Sequence, residues 1–318
     1  MTAPFFSVII PVYNRAGPLR RALQSVLAQT CQDFEIVVVD DGSRDDPRAV
    51  AESFADPRIR FFRQENAGGG AARNAAIDAA RGRFIAPLDS DDVFLPHHLE
   101  RMHTLLADTD GSVVGYARIR VYRGPGRVIL KPPRAIGEGE HMATYLLAER
   151  GFVPTITIVV ERQMARRIHY DHVLRIAEDA DFAVRLYLAG CRFRMVNEPG
   201  AVWMDLADPN RTSAARRGQR FGAWLERLRP AIPARAYHGG RGWAYAKLIA
   251  REHPFAALAL YMGAVLRGCY APRLAVIVFL QIFLGQRYRR VADHAIRWLK
   301  VGLREPQSSD GPRALEQA

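Results

Sequence analysis

Four short apolar runs, each followed by a helical pattern, constrain this chain most. Phe5 to Val12, Phe34 to Asp40, Ile59 to Arg63 and Phe84 to Leu88 are rich in β-branched and aromatic residues, as buried strands are. Between them lie Pro18 to Gln29, with Leu19, Leu23, Val26 and Leu27 at helical spacing, the shorter Asp46 to Phe54, and the Ala-rich Gly70 to Ala80. Strands apolar on both faces that alternate with helices require a mostly parallel sheet covered on both sides. The predicted fold class is therefore α/β, with a parallel or mixed central sheet and helices on both faces. Such a sheet binds ligands beyond the C-terminal ends of its strands, so the polar residues there are the first candidates for chemistry.

Further along, Pro96 to Leu106 predicts a helix, and Ser112 to Tyr122 and Pro154 to Val160 read as strands, separated by a Gly/Pro-rich connection from Gly124 to Gly139. These strands are expected to extend the same sheet and frame a second pocket wall. Ala177 to Phe182 opens a helix that runs to about Leu188, and Arg192 to Val196 reads as a strand. After Asn210 the chain becomes Arg-rich and helical, which suggests a core domain over residues 1–210 and a helical region over residues 211–318.

Charge sharpens that division. The 318 residues carry a formal charge of +12 and are 49% hydrophobic, enough for a full core and too apolar for a disordered chain. Residues 1–210 hold 26 Lys and Arg against 27 Asp and Glu, and residues 211–318 hold 19 against 6. The positive excess thus belongs wholly to the last third. Cys31, Cys191 and Cys269 are far apart and form no CxxC pair, so neither a disulfide framework nor a zinc site is indicated. The N-terminus lacks a signal-peptide pattern, and no apolar run reaches the roughly 20 residues of a spanning helix. A cytoplasmic location is expected.

Phe84-Ile-Ala-Pro-Leu-Asp89-Ser-Asp91-Asp92 sets three carboxylates within four residues at a strand end. Such crowding repels unless a cation sits among the charges; the alternative is a solvated turn that caps the next helix. Asp40 and Asp41 end another strand, where Asp40 could merely close a turn with Gly42 and Asp41 could face a ligand. Tyr13 offers a ring for stacking. Gly68-Gly69-Gly70 exposes backbone N–H groups at a helix start, a setting for anions. A dinucleotide fold would put those glycines after the first strand and want Gly or Ala at position 73; here they follow the third strand and Arg73 stands there, which disfavours NAD. His97 and His98 read as surface residues, and no histidine pair has metal spacing.

Taken in order, Val8-Ile-Ile-Pro-Val-Tyr-Asn14, Val37-Val-Val-Asp-Asp-Gly-Ser43, Asn66-Ala-Gly-Gly-Gly-Ala-Ala-Arg73-Asn74, Leu88-Asp-Ser-Asp-Asp92 and the pair Glu178-Asp179 resemble the inverting family-2 glycosyltransferases of the GT-A fold, over roughly residues 5–200. The resemblance implies a donor of the nucleoside-diphosphate sugar type, with UDP or dTDP, and a saccharide or lipid-linked acceptor, as in bacterial polysaccharide or glycolipid assembly. It puts Pro11, Tyr13, Asp41, Gly70, Arg73 and Asp89 at the nucleotide, and Asp91 with Asp89 at Mg²⁺ or Mn²⁺. It makes Asp179 the base, beside Glu178. Asp181 is a fallback base and Asp92 a cap. A binding protein without catalysis is the alternative of a different class.

In the last third, Phe255 to Leu266 and Leu274 to Leu284 are apolar runs of about half a spanning length, followed by Arg287, Arg289 and Arg290. They fit either an anionic membrane surface or a packing layer. The absence of interleaved aromatic platforms argues against nucleic acid as a partner.

Overall fold

The computed structural model describes residues 3–124, 128–174, 176–205 and 217–284. The chain forms two compact units, Met1–Tyr237 and His238–Ala318. The change in charge at residue 210 and the basic cluster at 287–290 lie outside the described residues.

The first unit begins with the alternation read above. Strand β1 (Phe6–Val12) leads to helix α1 (Ala16–Leu27), β2 (Phe34–Asp40) to α2 (Pro47–Glu52), and β3 (Ile59–Arg63) to α3 (Gly69–Ala79), before β4 (Phe84–Pro87). These four strands pair in parallel in the order β3-β2-β1-β4. Helix α1 buries Leu19, Ala22, Leu23 and Val26, the i, i+3, i+4, i+7 face of an amphipathic helix. Its N-terminal amide at Ala16 donates to Asp45 Oδ2 at 2.7 Å. Helix α2 starts with Pro47 at its first turn and Asp46 accepting from the Ala49 amide at 3.0 Å, the start signal that Pro and Asp give together.

A buried polar network ties the N-terminal ends of three strands. Ser7 Oγ donates to Glu35 Oε1 at 2.7 Å, Arg60 Nη1 donates to Glu35 Oε2 at 2.8 Å, and the Gly82 amide donates to Ser7 Oγ at 2.8 Å. Burial would raise the Glu35 carboxyl, but these donors and the Arg60 charge hold it below the usual glutamate range.

After β4 come the two-residue β5 (Val93–Phe94), helix α4 (His98–Leu106), β6 (Val113–Tyr122), β7 (Val128–Lys131) and helix α5 (Met142–Leu147). They are followed by β8 (Val160–Glu161), α6 (Arg162–Ile168), α7 (Glu178–Leu188) and β9 (Arg192–Met204). Here the structure corrects the sequence reading. Only β8 joins the first sheet, as an antiparallel edge on β4, and residues 155–157 form a 3₁₀ turn rather than strand. The long β6 instead builds a second sheet, in the order β5-β9-β6-β7. The cause is β9, which runs to Met204 and pairs with β6 in parallel along its whole length, with a register shift at Ala117–Ile119. The central fold is mixed α/β as expected, with helices about the sheet.

The unit closes with α8 (Arg217–Leu228) and α9 (Ala234–Gly240), the latter crossing into the second unit. That unit is helical: a π-turn at Arg241–Tyr245, then α10 (Ala246–Ile249), α11 (Pro254–Leu266) and α12 (Pro272–Phe283). Its small core contains Ala246, Ala257, Tyr261, Ala264, Tyr270 and Val278, and the Tyr261 hydroxyl donates to the Ala275 carbonyl at 3.0 Å. Among the described residues, no helix is long and apolar enough to cross a membrane.

Candidate active site

In the order β3-β2-β1-β4, chain connections leave β1 in one direction and reach β4 on its other side. The crevice between the C-terminal ends of β1 and β4 is therefore the switch point at which open α/β sheets bind ligands. Tyr13, Asn14 and Arg15 follow β1 there, and Asp89 to Asp92 follow β4.

Arg73 organises this crevice. It projects from the second turn of α3 and is buried, with Nη2 donating to Asp89 Oδ1 at 2.6 Å and Nη1 3.6 Å from Glu178 Oε1. Its guanidinium lies 5.4 Å from the centre of the Tyr170 ring. Burial works against its charge, but Asp89, Asp179 and Glu178 outweigh that and hold it protonated beyond the usual arginine range. Nε and Nη1 are buried without a hydrogen-bond acceptor. A buried guanidinium with unsatisfied donors is prepared for an oxyanion.

Glu178 and Asp179 open α7. The residue before them, Ala177, has φ 58°, a left-handed conformation that a non-glycine residue adopts at a cost of roughly 1 kcal/mol or more. That turn delivers both carboxylates to the Arg73 side of the crevice. Burial pushes the Asp179 carboxyl above the usual aspartate range; Arg73 and the Thr155 hydroxyl oppose the rise and Asp89 adds to it. Glu178 is raised by burial and by Asp179, again against Arg73.

At the tip of β4, Asp91 accepts from Arg15 Nη1 at 2.5 Å. Asp92 is buried and accepts from the Met204 amide at 2.9 Å, so it anchors the end of β9 instead of capping the following helix. Burial, with Asp89 and Asp91 beside it, pushes its carboxyl well above the ordinary range. Asp89 and Asp91 form an all-oxygen donor set of the kind Mg²⁺ and Mn²⁺ take when substrate phosphates complete the shell, so these residues fit such an ion. Among the described residues, no group of three or more His, Cys, Asp or Glu is arranged around a metal position by itself.

Asp41 is buried below the loop that leads into α3. Its Oδ1 accepts from Gln64 Nε2 at 2.7 Å and the Ala67 amide at 2.9 Å, and its Oδ2 from the Gly68 amide at 2.8 Å. Gly68 has φ 96°, open only to glycine at little cost. Asp41 thus shapes the loop that leads into α3. Asp40 has the structural role weighed for it: Oδ1 accepts from the Ser43 amide at 2.8 Å, and Oδ2 lies 3.2 Å from Arg63 Nη1. Pro11 pairs with Val39 within the sheet, and the Tyr13 ring is 45% exposed, available for stacking. A Cβ on Gly70 would meet the His172 Cα at 3.3 Å; this glycine lets residues 170–172 close over the start of α3.

Further placements differ from the sequence reading or escape it. Asp181, the fallback base, is buried and accepts from Arg185 Nε at 2.6 Å and Trp224 Nε1 at 2.9 Å, so it braces α7. His98 is not a surface residue: it packs on Phe94, and burial drives its pKa down to about 3, while His97 is exposed and pairs with Glu100 at 3.0 Å. The sequence assigns no role to Tyr170, Ala177 or Arg15, and Asn74 enters it only as the end of a motif. Asn74 exchanges two hydrogen bonds with the Tyr170 backbone, at 2.7 and 2.8 Å. Its place beside Arg73 in the motif was the available signal; the others carry none in a single sequence.

A family model described as glycosyl transferase family 2 matches residues 7–169. The amylovoran biosynthesis glycosyltransferase AmsB of Erwinia amylovora is 30% identical over 203 residues, 61% of this chain and 67% of the relative. The succinoglycan biosynthesis protein ExoO of Rhizobium meliloti is 33% identical over 213 residues, 62% of this chain and 59% of the relative. Alignment thus spans about two thirds or less of these relatives. Among solved structures, residues 1–349 of S. aureus TarS in complex with UDP-GlcNAc match with a TM-score of 0.62 at 18% identity, covering 92% of this chain and 91% of that one. The mannosyltransferase PcManGT of Pyrobaculum calidifontis, in complex with GDP-Man and Mn²⁺, matches with 0.57 at 18%, covering 91% and 83%. At such identities the structural likeness speaks for the fold, GT-A. The chain belongs to glycosyl transferase family 2.

Proposed function

We propose that this glycosyltransferase transfers a sugar, with inversion and with Mg²⁺ or Mn²⁺, from a UDP- or dTDP-linked donor to a hydroxyl of a growing polysaccharide or a lipid-linked acceptor. The observation that carries the reading is the Arg73 junction, 2.6 Å from Asp89 and 3.6 Å from Glu178. It joins the acidic strand tip at Asp89 to the start of α7 at Glu178, 89 residues apart in sequence. The names of relatives in amylovoran and succinoglycan biosynthesis support the acceptor class, and neighbours that bind UDP-GlcNAc or GDP-Man support the donor class.

In this reaction an acceptor oxygen attacks the anomeric carbon, the bond from that carbon to the diphosphate oxygen breaks, and the diphosphate leaves with the electron pair. Tyr13 stacks on the base and Asp41 accepts from it. Arg73 offers its buried donors to the diphosphate and stabilises the charge that grows there. Asp89 contacts the ribose or, with Asp91, the ion. Asp89 and Asp91 would hold a divalent ion, which would supply positive charge to the leaving diphosphate. Asp179 takes the proton of the attacking hydroxyl, helped by burial that makes it more basic than a surface aspartate.

A thermal-shift panel of nucleotide sugars with and without Mn²⁺ tests the donor and the ion together. UDP or dTDP sugars should stabilise the protein, more so with Mn²⁺, and Asp91→Ala should remove the Mn²⁺ increment. No shift with any nucleotide sugar would contradict the proposal.

A further inference from the structure

The second unit presents a surface that the transfer chemistry does not use. Seven of the thirteen exposed large apolar side chains among the described residues lie between positions 255 and 284. On α11, Phe255 (86% exposed), Leu258, Met262 and Leu266 (81%) fall within an arc of about 80° at 100° per residue. The opposite face of the same helix buries Ala257, Tyr261 and Ala264. Helix α12 repeats the arrangement, burying Ala275, Val278 and Ile282 while exposing Val276 (60%) and Phe279. Each helix therefore has one face in the unit's core and a second apolar face outside it. Such a concentration in about thirty residues exceeds the scattered exposure normal for a soluble surface.

Charge selects the partner. Residues 238–284 carry Arg241, Lys247, Arg251, Arg267 and Arg273 against one acid, Glu252. Arg251 and Arg267 bracket α11, and Arg273 stands in the first turn of α12; all three are exposed. A second copy of the chain would bring the same cations opposite themselves, whereas an anionic bilayer meets both the apolar faces and the guanidinium groups. We propose that α11 and α12 lie in the interface of an anionic membrane, with Phe255, Leu258, Met262, Leu266, Val276 and Phe279 in the acyl boundary and the arginines at phosphate headgroups. Helices of 13 and 12 residues are too short to span a bilayer and suit this in-plane placement. The inference does not depend on the donor-site reading.

Co-sedimentation of the full-length protein with phosphatidylcholine vesicles, with and without 30% phosphatidylglycerol, tests it. The wild-type protein should partition at least about tenfold more strongly onto the anionic vesicles at low salt. The double variant Phe255→Ser with Leu266→Ser should lose about tenfold or more, with an unchanged melting temperature and unchanged nucleotide-sugar binding. Arg267→Gln with Arg273→Gln, which leaves the apolar faces intact, should lose about fivefold or more on anionic vesicles and little on neutral ones. The proposal is overturned if the wild-type protein stays in the supernatant with anionic lipid, or if the serine variant partitions like the wild type. It is likewise overturned if the serine substitutions convert a dimer to a monomer without changing vesicle binding. Retained donor binding in any of these cases leaves the active-site reading standing.

Discussion

Arg73 is a buried cation among Asp89, Glu178 and Asp179, and its removal should be felt on both sides of the crevice. Arg73→Lys keeps the charge but loses the planar fork that reaches Asp89 and the buried donors left without an acceptor; donor binding measured by calorimetry should weaken by about 10- to 100-fold. At the neighbouring strand tip, Arg15 holds Asp91 and would compete with a divalent ion for the same carboxylate. Arg15→Gln should therefore tighten Mn²⁺ binding by roughly two- to fivefold, the size of a half-exposed ion pair, read by titration calorimetry. Asp179 sets the pH dependence. Its carboxyl is raised above the usual aspartate value of 3.8, so it gains its proton, and ceases to act as a base, at a higher pH than a surface aspartate would. The acid limb of kcat should lie above pH 3.8, and Asp179→Asn should erase that limb along with most of the activity. A limb at or below 3.8 would place the base elsewhere.

At the scale of elements, Glu35 links β1 and β3 to its own strand through Ser7 and Arg60. Glu35→Gln should lower stability at neutral pH by about 1–3 kcal/mol in denaturant unfolding, the cost of breaking a buried charged network. Because the folded carboxyl is depressed, its contribution is present above the unfolded glutamate value and fades as pH falls through the folded one. Wild type and variant should converge in acid. The four parallel strands and their helices were legible because each carries its own period, the acidic tip because it sits at a strand end, and the glycine turn and Arg73 because they open the helix that follows β3. The second sheet was not. Val128–Lys131 alternates exposed and half-buried residues inside a Gly/Pro-rich stretch, and β9 continues through Pro199 and Gly200, two residues that usually end a strand. Pairing with β6 overrides both. Buried His98 was missed for a related reason: its cover, Gly200, lies on β9, where a Cβ would come within 2.3 Å of the His98 ring, and nothing local announces that approach.

At the scale of the whole molecule, the first unit carries five sequence signatures spread over some 170 residues, and the proposed function puts the nucleotide side on β1 to β3 and the acceptor side on α7. The proposed division of labour follows from topology: the switch point would supply donor binding, and the left-handed turn at Ala177 a carboxylate from outside the sheet. That division is the central claim, and a single paired measurement on the Asp179→Asn variant tests it. Donor affinity by calorimetry and transfer rate under saturating donor are taken on the same preparation. The account predicts affinity within about threefold of wild type, and a transfer rate lower by about 10²- to 10⁴-fold. Transfer at the wild-type rate, or loss of donor binding in step with activity, would contradict it.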